Sequence, residues 1–371
     1  MGSSVSVTTI IDGEAHYDLK NGYLAGEKLK ARDFRGTTTL RLINPSGCDR
    51  MPTVMDLSDV ETVIVDSSCT CALRLDFATP DQFLYQCTTI KNVDVSALAP
   101  LCHTIKKSFA VHCILLTTVD LSDFKHCQDI EGYFLAGCRA LVSVNLSGFS
   151  ACRRIGNGFL MNCSSLKSVD LSGFTSCESI GDDFLARCSA LTSVTFGGMG
   201  KRLKKLNQGF MSGCTHLLTA DFSEFRQCTE IQPHFLASCR ALESVNLGGF
   251  TNCSSIGCAF VDDCSSLISI DLSHFNVSVQ IDSHRFLRGC KSLRAAIVRP
   301  DQTATVGVVA AGEDNPILVR GTQWTWGCHP FCQPHVRAAV LLVFQGIEFV
   351  DHNDDVRFLP SEVANEICGY L

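Results

Sequence analysis

Cysteine is the residue best equipped for chemistry in this chain, with 22 copies in 371 residues. Most fall into two columns. One is Cys102, Cys127, Cys152, Cys177, Cys228 and Cys253; the other runs from Cys87 through Cys113, Cys138, Cys163, Cys188, Cys214, Cys239 and Cys264 to Cys290. Thiols hold metals, sense oxidants or pair as disulfides. A thiol returning every 25 or 26 residues fits a plainer use: a small buried side chain whose weak donor serves one turn carbonyl per repeat. Dense disulfide frameworks belong to small secreted domains without a core, whereas this chain is 46% apolar and 19% charged. The opening Ser4 to Ile11 is interrupted by polar side chains and lacks a basic start, so no secretory signal is expected. An intracellular, cytoplasmic protein with reduced thiols follows.

Other chemistry is sparse. Cys328, Cys332 and His335 form the one compact Cys/His cluster and offer three zinc ligands; a fourth, such as His352, has no recognised spacing, so no metal and no cofactor are expected. Gly197-Gly198-Met199-Gly200-Lys201 lacks the spacing of a phosphate loop and reads as a glycine-rich turn with a basic spot. No zinc-protease, nucleophile-elbow or dinucleotide fingerprint is present, so no catalytic residue and no small-molecule substrate are expected. The net charge of −7 and isoelectric point near 5.9 disfavour nucleic acid. No apolar run is long enough to span a membrane. Met1-Gly2-Ser3-Ser4-Val5-Ser6 matches an acylation pattern, which would make Gly2 a peripheral membrane tether.

A repeat positions these residues. The block F-x-x-x-C begins at Phe83, Phe109, Phe134, Phe159, Phe184, Phe210, Phe235, Phe260 and Phe286, in steps of 25 or 26. Each copy continues into L-x-x-V-x-L, as at Leu166, Val169 and Leu171, whose alternation predicts a short half-buried strand. The remaining residues of each copy allow one short helical or irregular return. The fold class is therefore α/β: a leucine-rich-repeat solenoid with parallel strands stacked into one concave sheet. Residues 1–36 read as a partly disordered N-terminal segment and 37–300 as the solenoid with degenerate first coils. Residues 301–371 read as a C-terminal cap.

The unit I-G-x-x-F-L-x-x-C-x-x-L-x-S-V, across roughly residues 83–300, resembles the cysteine-bearing, BspA-like class of leucine-rich repeats. That resemblance implies a binding scaffold and leaves the partner open. A second resemblance is local: Leu359-Pro360-Ser361-Glu362-Val363 looks like the opening helix of an F-box. It implies, as an alternative, a ubiquitin-ligase substrate adaptor; an exported adhesin-like protein is another.

The residues flanking the buried strand positions should form the partner surface. They are Asp120 and Ser122; Ser143, Asn145 and Ser147; Ser168, Asp170 and Ser172; Thr195; Asp221 and Ser223; Asn246; and Asp271 and Ser273. The middle column alternates an acid with a neutral residue, which keeps carboxylates two strands apart; Asp94 beside Asp120 breaks the pattern and suggests strain or a bound cation. The expected function is a non-catalytic scaffold for a protein partner.

Overall fold

The computed structural model describes residues 82–298 apart from 101 and 277, and shorter pieces at 8–11, 14–18, 37–43, 60–65, 77–78, 317–320, 348–350 and 356–358. The chain winds in stacked coils, numbered 1 to 9 by the phenylalanines from Phe83 to Phe286. Each coil contributes a strand of about three residues to a concave face, as at Thr118–Asp120, Ser143–Asn145 and Ser168–Asp170. All pairings between these strands are parallel and in register. Earlier strands Glu14–Asp18, Thr39–Ile43 and Thr62–Val65 carry the stack back toward the N-terminus, where Thr8–Ile11 pairs antiparallel. Ile317–Arg320 extends it beyond Ala295–Val298.

The ladder runs in sections. Within coils 2 to 9 the strands pair two by two: 118–120 with 143–145, 168–170 with 193–195, 219–221 with 244–246, and 269–271 with 295–297. Val144 and Val169 lie on neighbouring strands with no backbone ladder between them. A second parallel ladder, absent from the sequence reading, is built from two-residue strands such as Arg154–Ile155 and Glu230–Ile231. It breaks after Ser179, one coil before Lys205–Leu206. The five-residue 3-10 turn Gly197–Lys201 lies in that interval and falls within a 26-residue step. Among the described residues the convex return is made of turns, not α-helix.

Phenylalanine fills the interior. The nine rings from Phe83 to Phe286 form one column, each stacked on the next at 5.0–5.9 Å and within 19° of parallel. A second column, including Phe149, Phe174, Phe250 and Phe275, meets the first edge-on, as at Phe159–Phe174 (5.8 Å, 87°). Such pairs add about 0.5–1.5 kcal/mol each beyond simple burial. Where Met199 interrupts the second column, Phe196 takes a leucine position in the same coil and meets Phe225 edge-on at 5.1 Å.

The turn that carries each Phe is left-handed at alternate residues. The positions just before Phe, just after it and two further on number 27 in nine coils, and 26 of these have positive φ. Most are not glycine; Leu135, Leu160 and Leu185 have φ of 52°, 53° and 55°. A non-glycine residue held there costs about 1–3 kcal/mol, so something must hold it. The Leu160 N–H donates to Phe134 O of the previous coil (2.9 Å), and its carbonyl accepts the Cys188 thiol of the next (3.1 Å). The same pair of bonds recurs at Leu135 (2.8 and 3.2 Å) and Leu236 (3.0 and 3.2 Å).

From Cys113 to Cys290 this cysteine column thus consists of donors to the preceding coil, with Sγ to carbonyl distances of 3.0–3.2 Å. The other column serves carbonyls two residues ahead, as Cys152 does to Arg154 O at 3.4 Å. Among the described residues the 16 cysteines form no disulfide, and all but Cys258 are buried. Burial pushes several of the thiols up, among them Cys87, Cys138, Cys177 and Cys253 from 9.0 to about 12, and Cys228 to about 11.

This predicts the response to alkali. Below pH 9 these thiols are protonated whether the chain is folded or not, and they add no pH dependence. Between pH 9 and 12 the unfolded chain ionises while the folded chain does not, so stability falls as pH rises. At pH 10 each such thiol should cost about 1.4 kcal/mol. Urea unfolding followed by circular dichroism, in reductant, should show a midpoint that drops steeply above pH 9. A midpoint flat to pH 10.5 would show that the thiols do not hold their protons through burial.

Candidate functional site

The concave face carries the predicted columns. Asp120, Asn145, Asp170, Thr195 and Asp221 are exposed, whereas Asn246 and Asp271 are half-buried. Between them Val119, Val169, Ala220, Val245 and Ile270 point inward and are buried. The serines after each strand follow the same rule, with Ser147 and Ser172 exposed and Ser122, Ser223 and Ser273 half-buried.

Each acid has a local role that the sequence reading passed over. Asp120, Asp170, Asp221 and Asp271 each accept, through Oδ1, the backbone N–H two residues ahead at 2.9 Å, closing the turn that ends the strand. Asn145 and Asn246 accept the same bond at 3.2 and 3.0 Å. An amide oxygen therefore does this work nearly as well as a carboxylate, and the second carboxylate oxygen is not needed for the turn. Burial by itself lifts the Asp271 carboxyl, but hydrogen bonds from His274 and Ser273 outweigh it and hold the group below its ordinary value.

The alternation of acid and neutral residues coincides with the two-by-two pairing. Every ladder pair sets an aspartate against a neutral partner: Asp120 with Asn145, Asp170 with Thr195, Asp221 with Asn246, Asp271 with Ile297. The Asn246 amide donates to Asp221 Oδ1 at 3.0 Å, which binds one neighbour and not both. Where two aspartates would stand opposite, at Asp94 and Asp120, the ladder keeps only Asn92 with Thr118 and then opens. A recess of about 190 Å³ lies there, lined by Asp94, Asp120 and Asp123. Like charges directly opposite on adjacent strands repel, and the opened register keeps Asp94 and Asp120 from pairing across the ladder. Among the described residues no group of three or more His, Cys, Asp or Glu is placed to hold a metal ion.

The opposite, convex turns hold features that no strand column announces. Among the described residues, five of the six large exposed apolar side chains lie between Tyr85 and Val142. A recess of about 300 Å³ opens on the turns of coils 1 to 4, lined by Tyr85, Val111, His112, Tyr133, Met161 and Asn162 among others. Two left-handed glycines shape it. A Cβ on Gly137 would come within 2.3 Å of the His112 ring, and one on Gly158 within 2.8 Å of the Tyr133 ring. Each glycine lets the preceding coil's ring lie across it. The available signal was departure from the repeat consensus inside F-L-x-x-C.

Several sequence readings fall elsewhere. Gly2, the cluster Cys328, Cys332 and His335, and the F-box-like stretch at 359–371 all lie outside the described residues. Gly197–Lys201 forms a 3-10 turn, and Lys201 and Arg202 pair with Glu224 and Glu178 at 3.7 and 3.6 Å. Among the described residues no helix is long and apolar enough to cross a membrane.

Comparison with known proteins finds the pattern of a BspA type leucine-rich repeat region in six copies, over residues 78–205 and 199–307. That is residues 78–307, or 230 of 371. No curated protein matches. Among solved structures, a leucine-rich repeat protein from Bacteroides ovatus is similar at 17% identity and TM-score 0.47, over 64% of this chain and 63% of that one. A leucine-rich cell surface protein from Faecalibacterium prausnitzii is similar at 13% identity and TM-score 0.40, over 81% and 82% of the two chains. A leucine-rich repeat protein from Eubacterium ventriosum follows at 11% and 0.31, over 87% and 86%. The chain thus spans less than two thirds of the Bacteroides ovatus protein.

The paired geometry makes a direct prediction. Asn145→Asp with Asn246→Asp keeps the turn-closing acceptors but sets carboxylates against Asp120 and Asp221. The double variant should unfold at lower urea than the parent, with a larger deficit at 10 mM than at 500 mM salt, since salt screens such pairs. An equal midpoint at low salt would mean that the two columns do not face one another.

Proposed function

The chain belongs to the BspA-type leucine-rich-repeat family, and on that premise we propose that its concave acidic stripe docks an extended basic segment of a protein partner. The broad role is non-catalytic, repeat-mediated protein binding. The observation that carries the finer reading is the placement of Asp120, Asp170 and Asp221 on alternate coils, exposed, with Asp271 half-buried in line. Each has an oxygen that the turn does not use.

Spacing narrows the partner. Strands stand about 4.8 Å apart, so the acids repeat at about 9.6 Å. A polyproline II segment returns to the same face every three residues, at about 9.3 Å. Over the three intervals from Asp120 to Asp271 the mismatch grows to only about 0.9 Å. A helix with cations seven residues apart repeats at about 10.5 Å and slips by roughly 2.7 Å over the same stretch. Small Ser and Thr side chains beside the acids leave room for backbone to approach. The reading includes no nucleic acid. The described thiols, none of them in a disulfide, support an intracellular location, and a Gly2 tether would add membrane proximity.

The test uses a labelled Lys-Pro-Pro tetramer, with Glu-Pro-Pro as its control, in fluorescence anisotropy against the full chain. The lysine peptide should bind, more tightly at low salt. Asp170→Asn with Asp221→Asn should weaken it at least tenfold while leaving the urea midpoint unchanged, because asparagine already closes this turn at Asn145 and Asn246. Binding that ignores the double substitution, or equal binding of both peptides, would refute the stripe as the docking site.

A further inference from the structure

We propose that the convex turns of coils 1 to 4 form a second docking site, for an extended protein segment that carries an aromatic or branched aliphatic side chain flanked by Asp or Glu. The site does not depend on the concave reading. Three observations carry it.

The first is the concentration of apolar surface. Tyr85 and Tyr133 are 42% and 49% exposed on either side of the recess. Ile114 and Leu115, 39% and 43% exposed, directly follow the turn of coil 2. Exposed apolar side chains scattered singly need no explanation, but a cluster with a recess marks a contact surface. Tyrosine is among the residue types that dominate binding energy at interfaces. The second observation is that the surface is confined. The position two residues after Phe is an exposed Tyr85 in coil 1, a buried Val111 and Ala136 in coils 2 and 3 and a half-buried Met161 in coil 4, and then becomes Ala186, Ser212, Ala237, Asp262, Arg288. In the last coils it is an ion pair, with Arg288 Nε donating to Asp262 Oδ1 at 3.1 Å. The repeat therefore does not require the apolar residues of the first coils.

The third observation is charge. Taken over the same nine positions of each turn, segments 81–89, 107–115, 132–140 and 157–165 hold Lys107, Arg139 and His112 against one carboxylate, Asp81. On a chain of net charge −7 that is a local reversal of sign. An apolar anchor with acidic neighbours complements it, whereas a basic segment suits the concave face. At about 300 Å³ the recess takes one large side chain with its flanking backbone.

The repeat supplies substitutions that the fold already tolerates. Tyr133→Gly copies Gly158 and Gly209 at the same left-handed position, Tyr85→Ala copies Ala136 and Ala186, and Arg139→Ser copies Ser164 and Ser189. The full-length chain is panned against a phage-displayed random dodecapeptide library, and the enriched peptides are synthesised and measured by anisotropy. Enriched sequences should contain Phe, Trp, Leu or Ile next to Asp or Glu. Tyr133→Gly and Tyr85→Ala should each weaken them at least tenfold, Arg139→Ser severalfold, and Asp170→Asn with Asp221→Asn not at all. The proposal is overturned if nothing is enriched, if the enriched peptides are basic or lack an apolar anchor, or if the tyrosine substitutions leave affinity unchanged. Loss in the concave double variant alone would place these peptides on the stripe and overturn the second site while sparing the first.

Discussion

The structure depends on a backbone position that chain sterics disfavour. In coils 1 to 8 the residue after the stacked phenylalanine is left-handed, and it is usually leucine, which has no local hydrogen bond to offer in return. It stays there because neighbouring coils supply one bond on each side: a phenylalanine carbonyl behind and a cysteine thiol ahead. The strain of one coil is relieved only by its neighbours. That makes the stack cooperative along its axis, in the way expected of solenoids whose units are unstable alone. It also explains why cysteine is used. A small side chain fits between coils, and a thiol that stays protonated can donate to a carbonyl without bringing a charge into the core.

Phenylalanine stacking and the left-handed turn are two aspects of one requirement. The turn fixes where Phe points, and rings at 5.0–5.9 Å then set the coil rise from inside while strand hydrogen bonds set it from outside. The two spacings differ slightly, since strands prefer about 4.8 Å. The concave ladder gives way at every second junction, and no paired section sets two aspartates against each other.

Much of this was legible in the sequence. The F-x-x-x-C register located all nine coils, and the alternation of Val169 and Leu171 with polar residues located the strands. The thiol columns read correctly as donors because a spacing of one per coil suits packing better than catalysis. Other features were hidden for definite reasons. Leucine at positive φ carries no glycine or asparagine signature, so the turn was invisible until the inter-coil bonds appeared. The second ladder uses two-residue strands, too short for any periodicity to register. The turn-closing role of Asp120 and its equivalents is written in the sequence as Asp followed two residues later by Ser, a signature that the alternation of acid and neutral residues overlies. Tyr85 and Tyr133 escaped because a consensus records what coils share, and binding residues are those they do not.

That last contrast applies to the whole molecule. Columns that every coil repeats, such as Phe159, Leu160 and Cys163, are committed to holding neighbours in place and cannot vary without strain spreading both ways along the stack. The middle strand position and the convex positions around Phe lie outside this constraint, because their backbone bonds are made whatever side chain is present. Composition there can change coil by coil, and it does: acids on alternate coils of the concave face, apolar and basic residues on the first four convex turns, ion pairs on the last. Side-chain character on this scaffold therefore changes in blocks along the axis, and differs between the two faces drawn from one repeat. Substitutions at the free positions should move affinity and spare stability, while substitutions in the columns should do the reverse.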